Sequence, residues 1–200
     1  MNTPREPIPD APPIRTFVAA DIGEAVRDKL AGIQERLKQA GADIGWVAPV
    51  NIHLTILFLG AVFESQASEL AAAADGIAAA YRPCALEVKG LGYFGRTQSP
   101  RTIWAGLTGN LQPLLALQNE IAEAAKQTGI YTDAKPFNPH LTIGRVRSSR
   151  RVQNLIKAME PYKDLPFGTL EIQNVRLVKS ALAPQGPSYT LLHESRLAAD

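Results

Sequence analysis

The tetrapeptide His-Leu-Thr-Ile occurs twice in the chain, at residues 53–56 and 140–143. Each copy follows an apolar helical pattern and a loop that contains a proline, Pro49 or Pro139. Chance repetition of a tetrapeptide in 200 residues is rare, and the two copies contain two of the three histidines. The repeat therefore indicates two similar halves.

Each copy is predicted to lie on a β-strand. Side chains alternate between the two faces of a strand, so histidine and threonine share one face while leucine and isoleucine share the other. The apolar pair would pack under helices, and the His–Thr pair would line an open face. If a pseudo-twofold axis relates the halves, His53, Thr55, His140 and Thr142 meet in one cleft.

Strands and helices are predicted to interleave along the chain. The predicted strands cover residues 14–20, 52–59, 85–91, 102–107, 140–146, 168–179 and 188–194. The predicted helices run from an Asp21 cap to about Gly41, with Glu24 completing a capping box, and over residues 64–81, 110–128 and 150–162, the last capped by Ser148 or Ser149. Gly90, Gly92 and Gly95 are expected to favour turns and close backbone approach.

The expected fold is α+β. The strands are short and many alternate, which favours antiparallel sheets with helices on one face over a parallel α/β sheet, the alternative. A hydrophobic content of 46% and a charged content of 20% are typical of a globular protein. Residues 1–13 contain five prolines and are predicted to be a disordered leader. Residues 14–200 are predicted to form a single domain.

Two imidazoles and two hydroxyls suit acid–base chemistry on a phosphate. Histidine titrates near neutral pH, so one imidazole can act as a base while the other acts as an acid. Hydrolysis of a cyclic phosphodiester needs both, because water loses a proton and the departing oxygen gains one. Threonine hydroxyls can hold the non-bridging oxygens as charge accumulates.

A zinc site is the rival use of the histidines, and it would need a third and usually a fourth ligand. His193, the remaining histidine, is predicted on the last strand as a surface or edge residue, so we expect no metal and no cofactor. Cys84 is the only cysteine and is predicted to be buried, and a lone cysteine fits a reducing cytoplasm. No apolar run approaches the ~20 residues of a membrane span. The net charge of +2 does not by itself indicate nucleic-acid binding.

From Ile14 to the last strand, the sequence resembles the 2H phosphoesterases. The closer resemblance is to the RNA 2',3'-cyclic phosphodiesterases first described as 2'-5' RNA ligases. Two His-x-Thr-x motifs mark the superfamily. The other matching segments are Arg15-Thr16-Phe17-Val18-Ala19, Trp46-Val47, Asn51 to Gly60, Leu91-Gly92, Trp104-Ala105-Gly106, Phe137 to Arg145, and Ser180-Ala181-Leu182 through Tyr189-Thr190.

The resemblance implies two pseudo-symmetric lobes of antiparallel sheet, with helices on the outer face and a central cleft. It implies metal-independent opening of 2',3'-cyclic phosphate ends on RNA or nucleotides to a 2'-phosphate, with weak reverse 2'-5' ligation. His53 would be the proton donor and His140 the acceptor, while Thr55 and Thr142 would bind phosphate oxygens. The symmetry of the repeat does not itself distinguish the two histidines. A monomer is the default expectation.

Arg145, Tyr189 and Tyr93 are predicted to bind substrate. Strict alternation from His140 places Arg145 on the face away from the cleft, and a bulge at Gly144 would turn it back. Tyr93, Phe94 and Tyr189 could stack on a base. Two other functions stay open: a non-catalytic module that binds RNA ends or nucleotides, and a 2H enzyme for another cyclic or 2'-5'-linked nucleotide.

Overall fold

The computed structural model describes residues 12–132, 136–183 and 186–199. The predicted leader lies outside these residues except for Pro12 and Pro13, which are exposed and have no regular structure. The strands are β1 (Ile14–Ala20), β2 (Ile44–Trp46), β3 (Leu54–Val62), β4 (Cys84–Arg96), β5 (Ser99–Thr108), β6 (His140–Val146), β7 (Pro166–Ile172), β8 (Asn174–Ala183) and β9 (Gly186–Arg196). The helices are α1 (Glu24–Lys38), α2 (Glu64–Ala78), α3 (Gln112–Gln127) and α4 (Val152–Met159), with short 3-10 turns at Pro49–Asn51 and Glu160–Tyr162.

The described strands form one sheet in the order β7-β4-β5-β6-β3-β1-β8-β9, and β2 pairs with β6. Each pair of neighbouring strands in it is antiparallel. The expected antiparallel α+β fold is therefore confirmed, and the parallel alternative is wrong. Strands β3 and β6 meet at the centre of the sheet, where Leu54 pairs with Leu141. This contact divides the sheet into two lobes, β9-β8-β1-β3 and β6-β5-β4-β7, and β2 adds to the second lobe through its pairing with β6.

The main core lies between the sheet and the helices. Leu54, Ile56, Leu141 and Ile143 are each at most 2% exposed, so the apolar residues of both repeats point to this side. The helices contribute residues at the spacing of one helical face, namely Val26, Leu30, Ile33 and Leu37 from α1 and Leu114, Leu117 and Ile121 from α3. Full burial of one such side chain contributes about 1.5–3 kcal/mol. Phe17, Ala19 and Val178 form a second, smaller cluster, which Tyr189 partly covers.

Two predicted helix caps are wrong. Helix α1 begins after Gly23, which has a positive φ, and no side chain caps it. Asp21 instead accepts a charge-assisted hydrogen bond from the Arg27 guanidinium at 2.6 Å and another bond from the amide of its neighbour Ile22 at 2.9 Å. Helix α4 begins after Arg151, which adopts a left-handed conformation, and no serine caps it.

Gly90, Gly92 and Gly95 lie inside β4 and not in turns, and the close approach that was also expected of them is confirmed. Gly90 has φ +76° at a register shift between β4 and β5, and a Cβ atom there would collide with the Lys163 carbonyl. Gly92 lies under the Trp104 ring, which leaves no room for a side chain. The predicted strand over residues 168–179 is in fact two strands, β7 and β8, which Gln173 separates. Cys84 is half-buried and not fully buried.

Candidate active site

The four repeat residues lie where the two lobes meet. Because Leu54 pairs with Leu141, continuing the antiparallel register by one residue places His53 opposite Thr142 and Thr55 opposite His140. In that register the two histidines are diagonal neighbours, which lie about 7–8 Å apart in a sheet, with their Cβ atoms somewhat closer. All four side chains are half-buried, whereas the leucines and isoleucines between them are buried. The strand alternation predicted from the sequence therefore holds in both copies.

Both imidazoles are anchored in the same way. His53 Nδ1 lies 2.8 Å from the carbonyl oxygen of Asn51, and His140 Nδ1 lies 2.7 Å from that of Asn138. A carbonyl oxygen can only accept a hydrogen bond, so Nδ1 carries the proton and donates in each case. In the neutral ring, Nε2 then has a free lone pair. The Thr55 hydroxyl lies 3.0 Å from His53 Nε2 and can donate to it.

The pKa values of both histidines lie below the ordinary value of 6.5. Burial is the main cause, because it disfavours the charged imidazolium. The backbone bond to Asn51 or Asn138 raises each pKa in part, and the positive charge of Arg145 lowers both. The two rings are therefore mainly neutral at pH 7 in the unliganded protein. An anionic phosphate in the cleft would favour protonation of one of them.

A β-bulge turns Arg145 toward this cleft. Thr142 pairs with Trp104 on β5, but Gly144 pairs with the next residue along β5, Ile103, so Ile143 is the extra residue. Ile143 and Gly144 are both buried, and Arg145 is exposed. Burial is the main cause of the pKa shifts of His53, His140 and Tyr189, and the positive charge of Arg145 lowers each of the three pKa values in part, as expected for a cation on the cleft face. The sequence did not determine on which face of β6 Arg145 lies, and the bulge places it on the cleft face.

Gln34 holds the bulge from the core side. This residue of α1 is 2% exposed, and its Nε2 donates to the carbonyls of Ile143 at 2.7 Å and Val47 at 2.8 Å. The Ile143 carbonyl also accepts from the Val47 amide at 3.0 Å. A buried amide with two acceptors fixes the backbone that precedes Arg145.

Aromatic rings flank each histidine. Phe17 stacks on His53 with ring centroids 4.8 Å apart and planes 21° apart. Tyr189 meets the same imidazole edge-on at 5.4 Å, and its role in substrate binding stays a prediction. Phe94 meets His140 edge-on at 4.8 Å.

Tyr93 does not join the site. It packs against the main core, and its hydroxyl lies 3.1 Å from Thr97 Oγ1. Its neighbour Phe94 points to the cleft, because successive strand residues face opposite sides. Of these two predicted neighbours, Phe94 therefore lies beside His140 and Tyr93 does not. Sequence reasoning also missed Phe17, although Phe17 and Ala19 share a face of β1 opposite to Val18 and Ala20.

His193 lies outside the cleft. On the edge strand β9 its Nε2 lies 2.8 Å from Asp75 Oδ1 on α2, and both residues line a cavity of about 460 Å³ between α2 and strands β8 and β9. Neither His53 nor His140 lines this cavity. The third histidine therefore does not complete a set of ligands with the other two.

The chain matches known proteins over most of its length. The profile of the 2'-5' RNA ligase superfamily matches residues 23–183. An RNA 2',3'-cyclic phosphodiesterase of Thermotoga maritima is 35% identical over 182 residues, which cover 90% of this chain and 94% of that protein. One of Methanocaldococcus jannaschii is 33% identical over 181 residues, or 90% of this chain and 99% of that protein.

Solved structures agree with this fold. The protein TT0787 of Thermus thermophilus superposes with a TM-score of 0.78 at 26% identity, covering 94% of this chain and 100% of that one. E. coli LigT complexed with 3'-AMP has a TM-score of 0.74 at 26% identity, covering 94% of this chain and 99% of that one. The bilobed sheet with two central His-x-Thr-x motifs is the fold of the 2H phosphoesterases.

The chain belongs to the 2'-5' RNA ligase superfamily. Within the described ranges, no helix has both the length and the apolar character needed to span a membrane.

Proposed function

We propose that this protein hydrolyses 2',3'-cyclic phosphate ends of RNA or nucleotides to 2'-phosphates. The observation that carries the proposal is the matched presentation of two imidazoles, each with Nδ1 bound to a backbone carbonyl, which leaves Nε2 as the nitrogen for proton transfer. At His53 the Thr55 hydroxyl lies beside Nε2 and would turn to the phosphate. The expected diagonal spacing of the two histidines suits one phosphate between them. The names of the relatives and the 3'-AMP bound to E. coli LigT support a substrate of this class.

In the proposed reaction, His140 Nε2 takes a proton from water as the water oxygen bonds to phosphorus. The bond from phosphorus to O3' breaks, and His53 Nε2 gives that oxygen a proton. The product carries a 2'-phosphate and a 3'-hydroxyl. Before the next cycle, His140 must lose its proton and His53 must regain one, which exchange with water allows. The assignment of donor and acceptor rests on the family resemblance, since the two environments are closely alike.

Thr55, Thr142 and Arg145 would bind the phosphate as charge builds on its oxygens. Hydroxyl donors and a guanidinium that are already in place stabilise such charge without reorganisation. Tyr189, Phe17 and Phe94 would form the cleft walls against which the nucleoside lies. In the reverse reaction, the same groups would join a 2',3'-cyclic phosphate end to a hydroxyl, which gives weak 2'-5' ligation. We also propose that the protein acts in the cytoplasm, as a monomer and without a cofactor.

The test follows the opening of a nucleoside 2',3'-cyclic phosphate by phosphorus NMR, which separates the cyclic diester from the monoester. His53→Ala and His140→Ala should each lower kcat by about 10²–10⁴, the usual value of a general acid or base. His193→Ala is the matched control and should retain wild-type turnover. Circular dichroism checks that each variant is folded. A folded His53→Ala or His140→Ala variant with wild-type kcat would refute the mechanism.

A second experiment separates the roles of the two histidines. Catechol cyclic phosphate has a phenolic leaving group, which needs less protonation than a ribose oxygen. With this substrate the proton-donor variant should recover much of its rate, and the acceptor variant should not. We expect recovery for His53→Ala, and recovery for His140→Ala alone would reverse the assignment.

The other candidate functions predict different results. A non-catalytic module would bind a cyclic phosphate without turnover by the wild type. An enzyme for another nucleotide would open the 2',3'-cyclic phosphate slowly but cleave a different cyclic or 2'-5'-linked compound fast. Excess EDTA should leave activity intact, and activity that vanished with EDTA and returned with zinc would contradict the two-histidine mechanism.

A further inference from the structure

A row of apolar side chains crosses the cleft face of the lobe formed by β9, β8, β1 and β3. Phe58 on β3 pairs with Phe17 on β1, Phe17 pairs with Val178 on β8, and Val178 pairs with Leu191 on β9. The two middle residues are buried, with Phe17 at 5% and Val178 at 9% exposure, whereas Phe58 is 59% and Leu191 52% exposed. The row thus ends in two large apolar side chains that face solvent.

This row is continuous with the candidate active site. The Phe17 ring lies 4.8 Å from the His53 ring and 6.3 Å from the Phe58 ring, measured between centroids. The Phe17 ring therefore lies next to both the His53 ring and the Phe58 ring. A nucleotide next to the one that carries the cyclic phosphate would lie close enough to contact Phe58.

A cation lies on the same face. Arg15 precedes Phe17 by two residues on β1, so the two side chains point to the same side. Arg15 is exposed, and its charge lowers the pKa of Tyr189, although burial raises that pKa overall. Arg15 and Phe58 thus present a positive charge and an open aromatic face, which is the combination that binds single-stranded nucleic acid.

We propose that Phe58 and Arg15 form a subsite for the penultimate nucleotide of an RNA end, an inference that rests on the proposed function. Phe58 stacks on the base of that nucleotide, and Arg15 pairs with the phosphate that links it to the terminal nucleotide. Stacking tolerates any base, because every base has a π face. The enzyme would then prefer an oligonucleotide end over a free cyclic nucleotide.

The experiment compares two substrates that end in the same nucleoside 2',3'-cyclic phosphate, one a mononucleotide and the other a dinucleotide. The measured quantity is the ratio of kcat/KM for the dinucleotide to kcat/KM for the mononucleotide. A partly unfolded sample lowers both values equally, so the ratio does not depend on the folded fraction. Phe58→Ala should lower the ratio about 5- to 150-fold, the range for loss of one base–aromatic stack.

Matched variants sharpen the comparison. Phe58→Trp should keep the ratio, because tryptophan retains an aromatic face. Phe63→Ala removes another exposed phenylalanine, 40% exposed at the start of α2, and should not change the ratio. Arg15→Gln should lower the ratio, and should reduce the salt dependence of the dinucleotide kcat/KM by about 0.7 in logarithmic slope, as expected for one lost phosphate contact on a single strand.

The possible results distinguish failure of the subsite from failure of the proposed function. If the wild type turns over both substrates and Phe58→Ala leaves the ratio unchanged, the subsite is wrong while the proposed function stands. If the wild type turns over neither substrate, both fail. If the row instead buries itself against a second copy of the chain, Phe58→Ala would change the sedimentation of the protein without changing the ratio, and the subsite would be overturned.

Discussion

Gln34→Met tests whether the buried amide of α1 holds the bulge that presents Arg145. Methionine keeps the length and volume of glutamine but cannot donate a hydrogen bond. The substitution removes the bonds to the Val47 and Ile143 carbonyls. The Ile143 carbonyl keeps the Val47 amide as a donor, so loss of the Gln34 hydrogen bond to this carbonyl costs about 0.5–1.5 kcal/mol. The Val47 carbonyl loses the Gln34 donor, at a cost of about 1–3 kcal/mol.

Burial of a thioether in place of an amide offsets part of this cost, so we expect the free energy of unfolding to fall by about 2–3 kcal/mol. For a chain of this size, each kcal/mol shifts Tm by about 2–4 °C, which gives a decrease of about 4–12 °C. Urea unfolding and calorimetry measure the two quantities. Gln66→Met is the control at a half-buried site. It also removes two hydrogen bonds, one donated to the Thr128 carbonyl and one accepted from the Phe63 amide, but the Phe63 bond is exposed and the Thr128 bond only partly buried, so the loss should cost less, about 0.5–1.5 kcal/mol.

The same variant has a kinetic consequence. If Gln34 positions Arg145, then Gln34→Met lowers kcat/KM by less in an Arg145→Ala background than in the wild type. Gln34→Met with an unchanged Tm, or with a kinetic effect that adds fully to that of Arg145→Ala, would refute the reasoning.

Three further predictions concern the same site and its support. The pH profile of kcat/KM should be a bell centred below pH 6.5, because both histidine pKa values are lowered. Arg145→Gln should move this bell toward higher pH, since loss of the positive charge lets both pKa values rise. A wild-type profile centred above about pH 7.5, or a variant profile moved to lower pH, would contradict this. Thr142→Val should lower kcat about 10²–10³-fold if its hydroxyl binds the transition state, and a loss confined to KM would assign it to ground-state binding. Gly90→Ala should lower Tm, because the residue has φ +76° and its Cβ would meet the Lys163 carbonyl; an unchanged Tm would show that β4 accommodates it.

Local patterns predicted much of the fold. Strands β1 and β6 begin and end at the predicted residues, and the apolar face of α1 is the one predicted from its periodicity. Strand alternation also placed His53, Thr55, His140 and Thr142 on one open face, because period two needs no knowledge of the rest of the chain. The antiparallel arrangement followed from the same alternation.

The features that escaped prediction depend on contacts between distant residues. The bulge at Ile143 is bound by Gln34, which is 109 residues away in sequence, so alternation alone could not place Arg145. Asp21 is a good cap by residue type, but the Arg27 guanidinium takes its carboxylate. The close approach expected of Gly92 is confirmed, but the Trp104 ring that causes it lies on another strand, β5, which the local sequence does not specify.

The central claim is that one phosphate contacts both imidazoles. The most direct measurement is a crystal structure of the wild-type protein with a nucleoside 2'-phosphate, the proposed product. The account predicts that oxygens of the single phosphate lie about 3 Å from both His53 Nε2 and His140 Nε2, with Arg145 on the same group. A fully occupied phosphate bound to one histidine with the other ring out of reach, or bound elsewhere on the protein, would contradict it.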